Sequence, residues 1–356
     1  MKKIAVVEGD GISPSIIAEG KKILEVVQEY TPLQFEFKNA PAGGGVYKEV
    51  GSSLPDKSLK TMEESDAILF GAIGLPDLPQ GVAEYAILRI RQHFDEYVNL
   101  RPIKLFKSAW DTCPLKDEYI GDGIDMVIVR ENSEGLYAKI GGILRTDEVA
   151  TNLMVYTKKG VDRIVNYAFQ LAKSNPKFSK VTSVDKANIL ACSQLWRERF
   201  HEIAKNYPGI KTEDFYVDAF CQWLIRKPYT CEVVVTGNLF GDIVSDEAAY
   251  LLGSLGMAPG GNINPDGISM YEPIHGSAPD IAGKGIANPI GTILAVKLMM
   301  SETFKEYEIA GKIEEAVEGA LDEGRTVDIK KKGLPTLSTT EMGNLIADKL
   351  RNILKK

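Results

Sequence analysis

The chain has 356 residues, of which 44% are hydrophobic and 26% are charged, and its formal net charge is −7. That length exceeds what one hydrophobic core usually holds, so two domains, or one domain split by an insertion, are expected. An acidic chain without a Lys/Arg-rich run is not expected to bind nucleic acid, and no apolar run approaches the ~20 residues of a membrane span.

Cysteine usage and the N-terminal sequence predict the cellular compartment. The four cysteines form no C-x-x-C pair, which predicts reduced thiols in a cytoplasmic protein. The first apolar run, at residues 4–7, is too short for a signal peptide. We therefore expect a cytoplasmic localisation.

The first hundred residues alternate between short apolar strands and amphipathic helices. A strand at 4–7 precedes the turn "GDG" and a helix from about 13 to 28, and a strand-like "LQFEF" precedes the Gly-rich loop "AGGG". A helix from Asp56, a strand at 67–70, a helix over "GVAEYAILRIRQHFDEY" and a strand "YVNLRPI" follow. This alternation predicts an α/β fold.

The middle of the chain continues the alternation. A strand "DMVIVR" ends at Arg130, a polar, glycine-containing segment covers 131–147, and "EVATNLMVYT" is strand-like. The strands "KVTSV", "DFYV" and "EVVVT" then alternate with helices predicted at 158–173, 192–206 and 218–226.

The last hundred residues have a different composition. After Leu252 the sequence is rich in Gly, Pro and Asn and predicts a loop zone, and a helical tail closes the chain. The last helix begins with a predicted capping box from Ser338 to Glu341. The tail needs a core to pack on, so it is expected to return to the first domain, which would make the middle an inserted domain.

The stretch "VVVTGNLFGDIVSD" places two aspartates, Asp242 and Asp246, four residues apart after an apolar strand and a Gly-Asn turn. On a helix this spacing brings both carboxylates to one face, roughly 5–6 Å apart at Cβ. Like charges at that distance repel, and a hard cation such as Mg²⁺ or Mn²⁺ would offset the repulsion through oxygen ligands. The segment predicts a divalent-metal pair, with two aspartates on a solvated helix face as the alternative.

Arginines end two of the predicted strands. Arg101 and Arg130 each follow apolar residues, and Arg89 and Arg91 lie on the helix before Arg101. An acidic protein that binds an anion must gather positive charge locally, and a guanidinium group suits a carboxylate. The pattern predicts a site for a di- or tricarboxylate, and surface salt bridges are the alternative for any single arginine.

Other candidates follow strands or lie near them. Lys186 follows a strand beside Asp185, which suits a desolvated lysine with a lowered pKa, and Asn188 is two residues further on. Asp218 follows another strand and is a candidate ligand. For Tyr137 a structural role, and for Lys186 a surface charge, are the alternatives.

The loop "EPIHGSAPDIAGKGIANP" combines small residues with one histidine, Asp280 and Asn288. Small residues let the backbone approach a ligand closely, and an acidic residue suits a ribose diol while repelling a 2′-phosphate. The two common phosphate-binding fingerprints, a G-x-G-x-x-G after a strand and a P-loop, are absent from the sequence. A long structural loop is the alternative.

Taken together, these motifs resemble the β-decarboxylating dehydrogenases, which act on isopropylmalate, isocitrate, homoisocitrate or D-malate/tartrate. The resemblance runs nearly end to end through "EGDGI", "NLRP", "VRENSEGLY", "VDKAN", "GNLFGDIVSD" and "HGSAPDIAGKGIANP". It implies a non-Rossmann, isocitrate/isopropylmalate dehydrogenase-like fold of two α/β domains. Residues 1–100 and 255–356 would form a dinucleotide-binding domain, and 101–254 an inserted dimerisation and substrate/metal domain.

The resemblance also implies an assembly and a division of roles. It implies a homodimer, with a tetramer as the alternative, whose active sites are shared and whose β-arm, near 135–156, exchanges between subunits. Asp242 and Asp246 would bind Mg²⁺ or Mn²⁺ with Asp218 of the partner subunit. Lys186 of the partner subunit would act as the base, and Tyr137 would protonate the enol.

Two further sets of residues come from the same resemblance. The expected substrate-binding residues are Glu84, Ile87, Leu88, Arg91, Arg101, Arg130, Asn188 and Ile189. The expected NAD-binding residues are Glu272, His275, Gly276, Ser277, Ala278, Asp280 and Asn288.

The implied reaction is the oxidative decarboxylation of a (2R)-malate-type acid by NAD. The helix "EYAILRIR" lacks the Ser and Asn of isocitrate enzymes and has Leu88 where homoisocitrate enzymes often have arginine. Its apolar wall of Ile87 and Leu88, with Ile189, favours 3-isopropylmalate. "ENSEG", "GAIGLPD" and "RQHFDEYVNLRP" point instead to D-malate/tartrate as the alternative, before homoisocitrate and isocitrate. A non-catalytic regulatory subunit is disfavoured because every expected catalytic position is filled.

Overall fold

A computed structural model gives the structure of the chain and describes residues 1–145 and 148–355. The strands are β1 Lys2–Val7, β2 Phe35–Asn39, β3 Ala67–Phe70, β4 Val98–Lys104, β5 Asp125–Glu131, β6 Gly141–Arg145, β7 Val149–Asn152, β8 Lys180–Asp185, β9 Lys211–Tyr216, β10 Val233–Thr236, β11 Pro259–Ile263 and β12 Met270–Pro273. The α-helices are α1 Ser13–Tyr30, α2 Gly44–Val50, α3 Asp56–Glu63, α4 Val82–His93, α5 Asp117–Ile120, α6 Lys158–Ser174, α7 Ala191–Ala204, α8 Val217–Arg226, α9 Asn238–Tyr250, α10 Ile290–Glu302, α11 Tyr307–Leu321 and α12 Thr339–Leu354.

These elements confirm the α/β fold class. The capping box of α12 is also confirmed, because the Ser338 hydroxyl accepts from the Glu341 backbone N–H while the Glu341 carboxylate accepts from the Ser338 backbone N–H. Such a reciprocal cap satisfies two backbone donors that a helix end would otherwise leave open. Over the described ranges, no helix has both the length and the apolar character needed to cross a lipid bilayer.

Two glycine-rich segments were predicted as loops, and both predictions are wrong in part. The zone after Leu252 contains β11 and β12, whose residues are all buried and pair antiparallel from Pro259 opposite Pro273. Glycine disfavours strands, yet burial and pairing override that local preference. In "AGGG", α2 begins at Gly44, because the Asp10 carboxylate accepts from the backbone N–H groups of Gly44 and Gly45 at 2.6 and 2.9 Å.

The chain divides into two compact units, and unit 1 contains both chain ends. It comprises Met1–Phe94, Phe106–Pro114 and Leu252–Lys356. Its strands follow the order β2-β1-β3-β12-β11, parallel except for the β11–β12 pair. Helix α10 is buried on nearly every side, where it packs against β11, β12, α1 and α11.

The structure assigns Phe106–Pro114 to unit 1, whereas the sequence-based boundaries placed this segment in the inserted middle. The side chain of Arg325 explains the assignment. Its guanidinium group is fully buried and donates to the Ser108 carbonyl and, at 2.7 Å, to the Leu321 carbonyl. A buried cation needs such acceptors, so the segment and the C-terminal part of the chain are held together.

Unit 2 comprises Asp95–Leu105 and Leu115–Leu251. Its strands follow the order β4-β5-β10-β8-β9, in which β4 runs antiparallel to β5 and the other neighbours are parallel. Because β5, β10 and β8 are parallel, their C-terminal ends share one edge of the sheet. Arg130, Asn238 and Lys186 lie at or just beyond those ends.

Strands β6 and β7 form a separate antiparallel hairpin, with Gly141 opposite Asn152 and Gly142 opposite Thr151. This hairpin falls within the predicted arm near 135–156. Residues 146 and 147 of that arm lie outside the described residues. Exchange of the arm between subunits stays a prediction.

Candidate active site

Helix α9 and strand β5 place an arginine against an aspartate in unit 2. The helix begins at Asn238, two residues after β10 ends, which confirms that the Gly-Asn turn opens a helix. Asp242 therefore lies just over one turn into the helix and accepts a hydrogen bond from Nη1 of the buried Arg130. Burial alone would raise the pKa of Asp242, but the charge of Arg130 and the other contacts outweigh it and lower that pKa.

The second aspartate of the pair faces a second arginine. Asp246 Oδ1 lies 3.5 Å from Arg101 Nη1. Burial and the nearby charge of Asp242 raise the pKa of Asp246, although Arg101 opposes that shift. The prediction that Arg101 ends its strand is wrong: β4 continues to Lys104, and Arg101 pairs with Ile128 of β5. The antiparallel direction of β4 still brings Arg101 beside the C-terminal end of β5.

Tyr137 completes this cluster. Its hydroxyl donates to Asp242 Oδ2 at 2.6 Å, and its ring centroid lies 5.1 Å from the guanidinium carbon of Arg130. Burial, then the hydrogen bond to and the charge of Asp242, raise the pKa of Tyr137. The phenol therefore keeps its proton at neutral pH and can donate it.

Lys186 and Asp218 form a second polar group in unit 2. Lys186 Nζ donates to Asp218 Oδ1 at 2.5 Å, and this hydrogen bond lowers the pKa of Asp218. Asn188 and Ile189 follow in the turn before α7, where the Ile189 side chain is 71% exposed. Unit 2 thus carries the Lys186–Asp218 pair and, close to Lys186 in sequence, the exposed apolar side chain of Ile189.

The third predicted metal ligand does not join the other two within one chain. Asp218 pairs with Lys186, whereas Asp242 and Asp246 face the arginines. Among the residues that the structure describes, no group of three His, Cys, Asp or Glu side chains could hold a metal ion. The prediction that Asp218 of the partner subunit completes the set is compatible with this arrangement and remains untested.

Helix α4 in unit 1 carries the predicted specificity residues. Ile87 packs against the apolar core of unit 1, and Leu88 is half-buried, while Glu84 is exposed. Arg91 is buried and lies 3.4 Å from Glu272 Oε1, which also accepts from Asn262 at 2.7 Å. One predicted substrate residue, Arg91, is thus paired with one predicted cofactor residue, Glu272.

The loop "EPIHGSAPDIAGKGIANP" lines a cavity of about 420 Å³ in unit 1. Of the predicted cofactor residues, four contribute to its wall, namely His275, Gly276, Ala278 and Asn288. Burial lowers the pKa of His275, so its ring is neutral at physiological pH. Ser277 lines a neighbouring cavity of about 390 Å³ with Glu84, and Asp280 is an exposed residue of the same loop.

The turn "EGDGI" holds this loop in place. The backbone N–H of Ile12 donates to the Ser277 carbonyl at 2.8 Å. Gly11 adopts φ +60°, and a Cβ there would lie 1.9 Å from that carbonyl oxygen, so only glycine fits. The Asp10 carboxylate also accepts from the Gly74 backbone at 2.7 Å, which ties a third segment to the turn.

Several functional candidates carried no clear signal in the sequence. Asp328 lines the larger cavity and accepts hydrogen bonds from Ser254 Oγ at 2.5 Å and Asn288 Nδ2 at 3.0 Å. Nothing in "RTVDIKK" marks this aspartate, because its neighbours are distant in sequence. Asn238 and Asn99 contact the arginines of unit 2, and only the Gly-Asn turn drew attention to the first of them.

Comparison with known proteins shows which family the chain resembles. A family model described as isocitrate/isopropylmalate dehydrogenase matches residues 3–346. The 3-isopropylmalate dehydrogenase of Aquifex aeolicus is 42% identical over an alignment of 359 positions, which covers 99% of this chain and 98% of that protein. The 3-isopropylmalate dehydrogenase of Thermotoga maritima is 44% identical over 99% of both chains.

A solved structure supports the same conclusion at the level of the fold. The isocitrate dehydrogenase from Methylococcus capsulatus has a TM-score of 0.88 to this chain at 37% identity, over 99% of this chain and 100% of that one. This match confirms the predicted isocitrate/isopropylmalate dehydrogenase-like fold.

Proposed function

Because the chain belongs to the isocitrate/isopropylmalate dehydrogenase family, we propose that it catalyses the metal-dependent oxidative decarboxylation of 3-isopropylmalate with NAD as oxidant. The observation that carries the proposal is the cluster of Arg101, Arg130, Tyr137, Asp242 and Asp246 on one face of unit 2. It combines positive charge for carboxylates, oxygen ligands for a cation and a protonated phenol.

The arginines supply the binding energy for the acid. Arg101 and Arg130 are 6% and 2% exposed, so their charges are poorly screened by water. We propose a carboxylate-binding role for Arg91 as well, which is buried within unit 1. An acid with two carboxylates gains from each such contact, whereas a neutral substrate gains from none.

Asp242 and Asp246 fit a hard divalent cation such as Mg²⁺ or Mn²⁺. They offer only oxygen ligands, and the Asp246 side chain is 58% exposed and therefore accessible. Loss of solvent around part of the carboxylate and the like charge of Asp242 raise the pKa of Asp246, and a cation would relieve that repulsion. We propose that Asp218 of the partner subunit supplies the third carboxylate. When bound, the cation acidifies the 2-hydroxyl group and stabilises negative charge on that oxygen.

Two residues handle the protons. Lys186 of the partner subunit would accept the proton of the 2-hydroxyl group as the C2–H bond breaks. Loss of CO₂ from the resulting β-keto acid leaves an enol, and Tyr137 would donate its proton to C3. The Tyr137 hydroxyl donates to Asp242, so the proposed proton donor lies next to the proposed cation site. The products are CO₂ and 4-methyl-2-oxopentanoate.

The larger cavity of unit 1 suits a dinucleotide. Its small and apolar lining residues allow close approach of an adenine ring, and Asn288 and Asp328 offer polar groups in its wall. Asp280 favours the ribose diol of NAD over the 2′-phosphate of NADP. We propose that His275, Gly276, Ser277, Ala278 and Glu272 complete this site. NAD held there would supply the hydride acceptor for the oxidation at C2.

Substrate choice rests on the apolar side chains Ile87, Leu88 and Ile189. Burying an isopropyl group gains about 0.8 kcal/mol per carbon, or about 2.4 kcal/mol for three carbons. None of the three side chains could pair with the extra carboxylate of isocitrate or homoisocitrate, and burying that charge unpaired is costly.

We also propose roles for the two units and an assembly. Unit 1 would bind the dinucleotide, and unit 2 would carry the metal and the dimer contacts. Exposed apolar side chains on α8 and α9 support a homodimer, since Ile225, Ile243 and Tyr250 are 48%, 53% and 60% exposed. A tetramer remains the alternative assembly, and the proposed compartment is the cytoplasm.

The test is NADH formation by the purified chain with Mg²⁺ or Mn²⁺ on five acids: 3-isopropylmalate, D-malate, tartrate, isocitrate and homoisocitrate. We expect turnover of 3-isopropylmalate with the highest kcat/KM. A higher value for D-malate or tartrate would favour the second candidate, which "GAIGLPD" and "RQHFDEYVNLRP" support. Nucleotide binding without turnover of any acid would instead indicate a non-catalytic regulatory subunit.

A further inference from the structure

Each arginine of the unit 2 cluster has its Nε atom bound by a buried asparagine. Arg130 donates from Nε and Nη2 to Asn238 Oδ1 at 3.1 and 2.8 Å. Arg101 donates from Nε to Asn99 Oδ1 at 2.7 Å. Asn99 is fully buried and Asn238 is 1% exposed, so neither amide is a surface contact.

The fold places these four residues on one face of the sheet. Asn99 pairs directly opposite Arg130 across β4 and β5, and Arg101 lies two residues along β4 on the same side. Asn238 approaches from the first turn of α9. Its Nδ2 donates to the Glu134 carbonyl at 3.4 Å, while its Oδ1 accepts from Arg130.

The chemical choice of asparagine has a consequence for charge. Asp242 and Asp246 already place two carboxylates against the two guanidinium groups. An aspartate at position 99 or 238 would keep the acceptor geometry but add a buried negative charge beside an arginine. An amide oxygen orients the guanidinium group through its dipole and leaves the positive charge of the arginine in place.

We propose that Asn99 and Asn238 are positioning residues that fix Arg101 and Arg130 through neutral acceptors and so reserve their positive charge for the carboxylates of the substrate. This inference rests on the substrate-binding role proposed above for the two arginines. It also implies how Arg130 would bind the substrate. Because the Nε and Nη2 atoms of Arg130 donate to Asn238, the substrate carboxylate would accept hydrogen bonds only from the remaining N–H groups of the guanidinium group.

The decisive variants are Asn238→Asp and Asn99→Asp, each nearly isosteric with the original side chain. If the asparagines only orient the arginines, aspartate serves as well, and KM for 3-isopropylmalate stays unchanged. If neutrality matters, KM rises at least about tenfold in each variant, because a charge-assisted contact to the substrate is weakened. The KM for NAD should not change, which separates charge loss from general damage.

Asn166→Asp is the matched control. This residue lies in α6 of the same unit, is half-buried, and its Nδ2 donates to the Asp162 carbonyl at 2.8 Å. Its side-chain contacts are with Asp162 and Tyr207 rather than with Arg101 or Arg130, so the added charge touches neither arginine and the KM values should match those of the wild type. Asn238→Ala should raise KM as well, because it removes the orienting acceptor.

Binding is measured independently of turnover by calorimetry with D-malate as the probe, in the presence of Mg²⁺. The dissociation constant should rise at least about tenfold in Asn238→Asp. Equal dissociation constants for this variant and the wild type would overturn the inference. If the wild type binds D-malate but turns over none of the five acids, the proposed function is wrong. The dissociation constants of the wild type and Asn238→Asp would then still test the positioning role of the asparagines.

Discussion

Gly241 provides the sharpest steric test of the arginine site. A Cβ at this position of α9 would lie 2.5 Å from Cγ, 2.8 Å from Cβ and 3.1 Å from Cδ of Arg130. These atoms belong to the stem of the arginine, which the β5 backbone holds, so they cannot swing away like the end of a flexible side chain. Gly241→Ala must therefore displace the guanidinium group or the first turns of α9.

The expected magnitude follows from the contacts that would be lost. A hydrogen bond to a charged group contributes about 1.5–3 kcal/mol, and each 1.4 kcal/mol changes a binding constant tenfold. Losing one such contact between Arg130 and the substrate raises KM about 10- to 150-fold. Alanine favours a helix over glycine by about 1 kcal/mol, but that gain acts on α9 and does not restore the arginine.

Steady-state kinetics on 3-isopropylmalate measure the effect, with Gly311→Ala as the control. Gly311 lies in α11 and is exposed, and a Cβ added there would meet none of the described side chains or neighbouring segments within 4 Å. Its replacement should stabilise the helix by up to about 1 kcal/mol and leave KM unchanged. A KM for Gly241→Ala within twofold of the wild type would refute the steric argument.

Three further predictions address the proton donor, a buried ion pair and the cofactor. Tyr137→Phe should lower kcat about 100-fold or more while Mg²⁺ affinity, measured by calorimetry, changes little; equal losses of both would contradict the proposed role. Arg197→Met should cost about 3–5 kcal/mol of unfolding free energy at pH 7, because it strands the carboxylate of Asp185, whose side chain is 3% exposed. Burial raises the pKa of Asp185, so protonation relieves this cost as pH falls, and urea unfolding at pH 4.5 should show a smaller loss. Asp280→Lys should narrow the preference for NAD over NADP, and an unchanged ratio of kcat/KM values would place the ribose elsewhere.

Local patterns were sufficient to predict helix α9. An apolar strand, a Gly-Asn turn and two aspartates at helical spacing predicted that Asp242 and Asp246 would share one helix face, and α9 has this geometry. The capping box of α12 was predictable for the same reason, since its two residues are three positions apart. Interactions within one helical turn depend little on the rest of the fold.

Contacts between distant segments were not predictable in this way. Arg130 and Asn238 are 108 residues apart, and Asn288 and Asp328 are 40 apart, so no local pattern joins either pair. Strand β11 reads "PGGNI", and only its burial against β12 explains why it is extended. The sequence identified the residue types of the site, whereas tertiary packing determines which of them meet.

We predict that this enzyme prefers 3-isopropylmalate to D-malate, and a competition assay between the two acids measures that preference in one reaction. Both acids are supplied at equal concentration with NAD and Mg²⁺, and the ratio of the two oxo acids formed gives the ratio of kcat/KM values. Burying the isopropyl group gains about 2.4 kcal/mol of free energy, which predicts about 50 times more 4-methyl-2-oxopentanoate than pyruvate. An excess of pyruvate would contradict the predicted preference for 3-isopropylmalate.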